Sequence, residues 1–522
     1  MQSSGSCMIC KLVALFGGMD YNVEDDHRRN TEGLSGMNKT SVPSDIVNRE
    51  AKESRRSLYI SLFCFLSVFF FGMLIIWGVP VYNDSQQYID MHVHREPVYP
   101  LFLWVMRLIS EEHFMVLAAV FQCILSVVAS YAFIKYIFDR FFIVTDKKRR
   151  AVLEWFAMGF VTVTVLLPYA ITPLFSVTHV MLATGILSES LTMPLFLLYV
   201  IFAHRMMTDR REDDTADPRY MALSLLIAFV LSLTRSQMVV TLIAWVIEAV
   251  IAIVSGKNAK DKRRGKIIRI MVVMIVFVIT IPLKGTLNRT YNQVFNGRYV
   301  DNVYTKLTML TNVFYVTDRE TGEYIDDDDL QTLFYRFYDV MDENEWSYKY
   351  SGGSAVQRAI YLEDMHDKIK FDVLEAGFRD VMNERGMPDY IDYNLKAEEY
   401  SARLLPILLP HCFVKWFADW IIMGSRGVVR SMAICHPVMY IYVIIITAFL
   451  IYGMIRCFDN RSKASFIFIA LLLLFGNAFG TAFTIMCLSR YMIYGFPIVY
   501  SAIAVAAYDA LYRRGLGSSQ GT

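Results

Sequence analysis

The strongest constraint on this chain is its run of solid apolar blocks. Stretches of roughly 17–25 apolar residues recur, the length that carries a helix across about 30 Å of hydrocarbon. They fall at Leu58–Val79, Phe114–Phe138, Val152–Leu167, Val180–Ala203, Tyr220–Val254, Ile267–Leu283, Val438–Ile455, Phe466–Met486 and Tyr491–Leu511. In lipid only helices and closed barrels satisfy every backbone group, and unbroken runs rather than alternating residues argue against a barrel. Composition agrees: of 522 residues 55% are apolar and only 19% charged, against about a quarter charged in soluble proteins. A soluble enzyme, a disordered chain and a nucleic-acid binder are excluded. Net charge is +1, which selects no partner. Eight cysteines in a chain this long make no disulfide framework. Cys7 and Cys10 form a C-x-x-C without the second pair a metal site needs. Cys412 and Cys435 would pair only in oxidising surroundings.

Loop charge sets the topology. Basic residues gather on the cytoplasmic side, and here they gather at Asp139–Arg150, at 204–219 and at 255–266. The last two flank the 35-residue run Tyr220–Val254. As one helix that run would be about 52 Å long, too long for a single crossing. It therefore crosses twice, turning at Thr234-Arg235-Ser236. The expectation is an all-α polytopic membrane protein of about ten transmembrane helices in the plasma membrane, with both termini cytoplasmic. Residues 1–57 read as a disordered cytoplasmic tail, because they are polar and rich in Gly, Ser and Asn. Residues 58–283 form a seven-span module and 284–436 an external domain between spans seven and eight. Residues 437–512 carry three further spans and 513–522 a cytoplasmic tail. Within the external domain, Tyr361–Arg385 has helical periodicity ended by Gly386 and Pro388. Asp326–Asp329 reads as a solvated loop ahead of a calcium site, since no EF-hand spacing follows. Phe413–Val429 mixes Trp, Lys and Arg with apolar residues, as an interfacial helix does.

External loops short of Lys and Arg make their few charges informative. The first reads Tyr82-Asn83-Asp84-Ser85-Gln86-Gln87-Tyr88, then His94-Arg95-Glu96-Pro97-Val98-Tyr99-Pro100-Leu101. Asp84 either caps a short helix or faces a cavity as a catalytic carboxylate. Glu189 is expected about five residues inside the fourth span, too deep to face lipid, paired with Arg95, Arg235 or His179 or touching substrate. Arg235, at a hairpin tip below the surface, either binds an anion or snorkels to headgroups. Arg490 either anchors at the interface or serves the same site. Arg95 and Glu96 order the loop or touch a ligand. Asp84 with His92 and His94 could hold a divalent metal, though the spacing is not diagnostic. Val98–Ser110 is apolar but short, an interfacial helix.

Three stretches carry a resemblance. D-S-x-x-Y followed by R-x-P-x-Y-P-L after the first span, Leu187-Ser188-Glu189-Ser190-Leu191 with Pro194-Leu195, and Leu233-Thr234-Arg235-Ser236-Gln237 resemble motifs of the membrane-embedded GT-C glycosyltransferases. The nearest branch is the family-39-like and RgtA/B/C/D-like one, related to protein mannosyltransferases and the aminoarabinose transferase. Ser236 stands where that family usually has proline, and the likeness is best over the first seven spans. It implies a GT-C-like bundle that moves a sugar from a polyprenyl-phosphate donor to a glycan, lipid or protein acceptor outside the cytoplasm. Asp84 would be the base; Arg235 would bind phosphate; Arg95, Glu96, Glu189, Arg490 and Tyr88 would line the substrate site. The resemblance fixes no cofactor, and a divalent metal, which some members use, stays open. A glycan polymerase or ligase, a lipid or solute transporter and a non-catalytic scaffold are the rival readings.

Overall fold

The computed structural model describes residues 44–519 apart from 143–149, 176–179, 212–213, 257–262 and 388. The Cys7/Cys10 pair, His179, Pro388 and residues 1–43 of the expected tail lie outside the described residues, as do 520–522. Eighteen α-helices and no strand are present among the described residues. In chain order the first nine are α1 Ser44–Trp77, α2 Asn83–Ile89, α3 Val98–Ile109, α4 Phe114–Phe141, α5 Arg150–Phe175, α6 Glu189–Thr208, α7 Pro218–Thr234, α8 Val239–Val254 and α9 Arg263–Asn296. The others are α10 Thr305–Tyr315, α11 Asp328–Glu343, α12 Ala355–Asp367, α13 Ala376–Glu384, α14 Tyr390–Arg430, α15 Pro437–Arg456, α16 Arg461–Thr484, α17 Ser489–Met492 and α18 Gly495–Ser519.

Among the described residues nine helices are long and apolar enough to cross a membrane, and three more are apolar but shorter. Eight of the nine coincide with blocks marked from the sequence; the ninth is α14. The multi-pass helical character is therefore plain. Helix α6 is apolar nearly all round and the rest of the protein covers 89% of its apolar window, so it is the axis of the bundle. Only 11% of the α9 window and 17% of the α1 and α15 windows are covered. These outer helices turn Ile75, Ile76, Val278 and Ile444 outward, the surface that lipid would cover.

The Tyr220–Val254 run breaks where the basic loops require it. α7 ends at Thr234, Arg235 is extended, and α8 starts after one short turn at Ser236–Met238. Trp245 donates to Met221 O and Thr241 to Ala228 O, so the two helices pack antiparallel.

Other expectations are corrected. The expected disordered tail is helical from Ser44 onward, and α18 runs on to Ser519 across the expected C-terminal tail. α5 continues through Pro168 to Phe175. The boundary placed at residue 284 lies inside the continuous helix α9, whose polar end stays helical as Lys284 pairs with Glu96. Phe413–Val429 is no separate surface helix. It is the end of the 41-residue α14, and Trp416 and Asp419 are buried against their neighbours. Asp326–Asp329 is loop only as far as Asp327, which caps α11 by accepting from Leu330 N; Asp328 and Asp329 begin the helix, and Arg403 and Arg385 pair with Asp327 and Asp329. The Tyr361–Arg385 periodicity is realised as α12 and α13 joined by a π-helical segment, Lys368–Glu375, and ends at Gly386 with φ +72°. Cys412 and Cys435 are free thiols.

Candidate functional site

The site begins with a splice between the first loop and the chain entering α6. Ser85 accepts from Tyr82 N at 2.8 Å and donates to Ile186 O at 2.7 Å. Ile186 N donates to Pro80 O, and Met181 N donates to the Tyr82 hydroxyl. Thus Ser85, not Asp84, closes the N-terminus of α2, and Asp84 projects from the first turn. The splice also holds residues 180–188 out of the helix expected there; buried irregular backbone is stable at membrane depth when protein satisfies it. Glu189 is in consequence the first residue of α6 rather than five residues in. Gly185 sits where this packing is closest. A Cβ there would lie 2.7 Å from Met181 O and 2.8 Å from the Tyr82 ring. Gly185→Ala is expected to destabilise the protein by about 1–3 kcal/mol. Gly72→Ala, with nothing within 4 Å of its Cβ position, is expected not to, as measured by thermal unfolding in detergent.

Asp84 lies between two guanidinium groups. Arg95 Nη2 is 2.9 Å from Oδ1 and Arg490 Nη1 is 3.0 Å from Oδ2. Burial pushes the Asp84 carboxyl up, but Arg95 and Arg490 outweigh it and hold the group below the usual carboxylate range. From Arg95 the contacts continue to Tyr88, whose ring lies 4.7 Å beneath the guanidinium and whose hydroxyl accepts at 3.3 Å. The Tyr88 hydroxyl meets Ser188 Oγ at 2.9 Å, and Ser188 donates to Glu189 at 3.2 Å. Glu189, 2% exposed, pairs with Arg235 at 2.6 Å. Arg235 stacks 4.6 Å from the Tyr491 ring, and Arg490 lies 5.0 Å from the same ring. That closes a loop of contacts: Asp84, Arg95, Tyr88, Ser188, Glu189, Arg235, Tyr491, Arg490 and back to Asp84. Elements from four separate parts of the chain supply it.

Six of the seven residues singled out from the sequence fall in this ring. Glu96 does not; it is buried and pairs with Lys284 of α9 at 2.9 Å, tying down the loop that carries Arg95. Ser188 and Tyr491 complete the ring as neighbours of charged residues already noted. Gln87 accepts from Arg95, and Gln237 accepts from Arg235 Nε at 2.9 Å. Arg490 Nε is buried without a hydrogen-bond partner. The ring carries three guanidiniums against two carboxylates, a surplus of one positive charge with donor capacity to spare. It is an arrangement fitted to an anion.

The His92 and His94 rings stand 5.3 Å apart, but the Asp84 carboxylate is taken by the two arginines. No group of three or more His, Cys, Asp or Glu side chains among the described residues is arranged to hold a metal ion. No family model, curated protein or solved structure matches the chain.

Proposed function

We propose that the protein is a membrane glycosyltransferase of GT-C type. It would move a sugar from a polyprenyl-phosphate donor to an acceptor hydroxyl at the external face of the plasma membrane. The reading is carried by the closed ring, which puts a carboxylate and surplus guanidinium groups into one cluster. The resemblance of the three motif stretches supports it, since those motifs supply Asp84, Arg95, Ser188, Glu189 and Arg235 to that ring.

The chemistry needs both signs of charge. Asp84 takes the acceptor hydroxyl proton as the oxygen bonds to the anomeric carbon, and the bond from that carbon to the phosphate oxygen breaks. Its electron pair stays on the lipid phosphate, which gains a negative charge that Arg490 and Arg235 stabilise. An arriving phosphate competes with Asp84 for Arg490, so donor binding frees the carboxylate and raises its basicity when it is needed. A lipid-borne donor fits a site set among apolar helices, because it diffuses in the bilayer plane.

The topology proposed with this function has ten spans, using α7 and α18 as crossings and placing α10 to α14 outside, with both termini cytoplasmic. Charge-reporter fusions at Lys260 and Tyr350 are expected to fall on opposite sides of the membrane; the same side for both removes the double crossing. The functional test supplies membranes containing the protein with polyprenyl-phosphate hexoses of several kinds. Protein-dependent loss of the lipid-linked sugar to an acceptor is expected for at least one, and no transfer from any would remove the reading.

Net uptake of a solute by sealed vesicles would favour the transporter instead. That alternative predicts ionisable groups near mid-bilayer on several helices, whereas the ring is built from helix ends and loops.

A further inference from the structure

One charge beside the ring has no partner. Lys370 sits in the π-helical segment Lys368–Glu375 and is only 7% exposed. A π turn inserts a residue and re-aims the side chains around it, and such turns are common at functional sites. The Lys370 ammonium rests 4.4 Å from the centre of the Tyr304 ring and 5.0 Å from that of Phe371. Among the described residues no carboxylate stands within ion-pair distance of it. The two nearest acids each bond another group: Asp367 meets His366, and Glu375 accepts from the Tyr304 hydroxyl. Burying an ammonium that no carboxylate contacts directly is costly.

Its surroundings lead straight to Asp84. The Tyr304 ring packs 4.9 Å from that of His94, His94 contacts Gln87 at 3.1 Å, and Gln87 accepts from Arg95. Lys370 is within electrostatic reach of Asp367 and Glu375 first, and then of Arg95 and Asp84. On the far side Tyr390, exposed, packs near His94. The ammonium thus lies beside the ring, on an aromatic cluster of Tyr304, His94 and Tyr390.

We infer that Lys370 is an anion-binding residue of this site, delivered by the region between α9 and α14, and that its counter-ion is an acidic group on a substrate. The inference deepens the sugar-transfer reading and rests on it for what the substrate is. The acidic group is the phosphate of the lipid donor or a carboxylate of an acidic acceptor sugar. An unfilled charge also makes the empty protein less stable than it could be. Burial pulls the Lys370 ammonium down to about 8, in keeping with a charge that lacks its partner.

The test uses full-length protein in nanodiscs, with inorganic pyrophosphate and glucuronate as separate probes. Wild type, Lys370→Met and Lys370→Arg are compared for probe affinity and for thermal midpoint without probe. The expected result is that Lys370→Met raises the midpoint while weakening one probe at least tenfold, and that Lys370→Arg retains binding. Loss confined to pyrophosphate assigns the donor phosphate; loss confined to glucuronate assigns an acidic acceptor. A purely structural lysine would give the opposite sign, a lower midpoint with unchanged affinity, and that overturns the inference. Failure of wild type to bind either probe overturns it as well. Probe binding without any sugar transfer would sink the transferase reading and leave Lys370 as an anion site.

Discussion

Asp84→Asn is expected to lower sugar transfer by about 10²–10⁴-fold at equal expression, the range general-base catalysis commonly contributes. The substitution keeps the shape of the side chain and its contact with α2, so the fold should persist. It removes the charge that Arg95 and Arg490 hold at 2.9 and 3.0 Å. Donor binding should survive or improve, because Arg490 is then free for the phosphate. The diagnostic pattern is a collapse in kcat with an unchanged or lower KM for donor. A rise in KM alone would mean that Asp84 only orders the loop. Sign matters for pH too. The Asp84 carboxyl is held below its ordinary value by Arg95 and Arg490, so the protein without donor carries it ionised through the neutral range. Its contribution to stability is present above the unfolded value and lost as pH falls through the folded one. An acid limb of kcat/KM near neutrality, which follows the free enzyme, would therefore come from another group.

Arg235→Met should produce the largest loss of stability. It strands Glu189, 2% exposed and paired at 2.6 Å, at the start of the most enclosed helix. Removing one member of a buried pair typically costs about 3–5 kcal/mol, because the other charge is left uncompensated. What remains is one hydroxyl donor, Ser188 at 3.2 Å, and the more distant charge of Arg490. Pairing the substitution with Glu189→Gln should recover much of the lost stability without restoring transfer, since the phosphate partner is still missing. A double variant as unstable as Arg235→Met alone would show that the two side chains are not energetically coupled. A double variant with normal transfer would take Arg235 out of the site.

Much of the bundle was legible because lipid solvent leaves a coarse signature: a span is a long apolar run, and Arg235 between two basic loops marks a turn. Helix ends were less legible. Val180–Ser188 is as apolar as a span, and nothing local says that Ser85 and Tyr82, about 100 residues earlier, will hold it irregular. The polar end of α9 and the long α14 were misjudged for a related reason. Polar and charged residues read as breaks, while α9 and α14 run through them as continuous helices. In the site, charges were visible because they are rare in the loops opposite the basic ones, and Arg235 was one of three partners, with Arg95 and His179, that the depth of Glu189 left open. The double clamp on Asp84 was not visible, since Arg490 lies some 400 residues away in sequence. Lys370 gave no signal: one lysine in a polar stretch looks like any other until Tyr304 and His94 are seen around it.

The central claim is that the ring of Asp84, Glu189 and three arginines holds the phosphate of a lipid-linked sugar. Photo-cross-linking with a polyprenyl-phosphate hexose carrying a diazirine on its first isoprene unit tests it most directly. The account predicts label on peptides spanning Arg235 and Arg490, competed by unmodified donor and lost in Arg490→Gln. Label spread over the outward faces of α1, α9 and α15, unchanged by competitor, would contradict it.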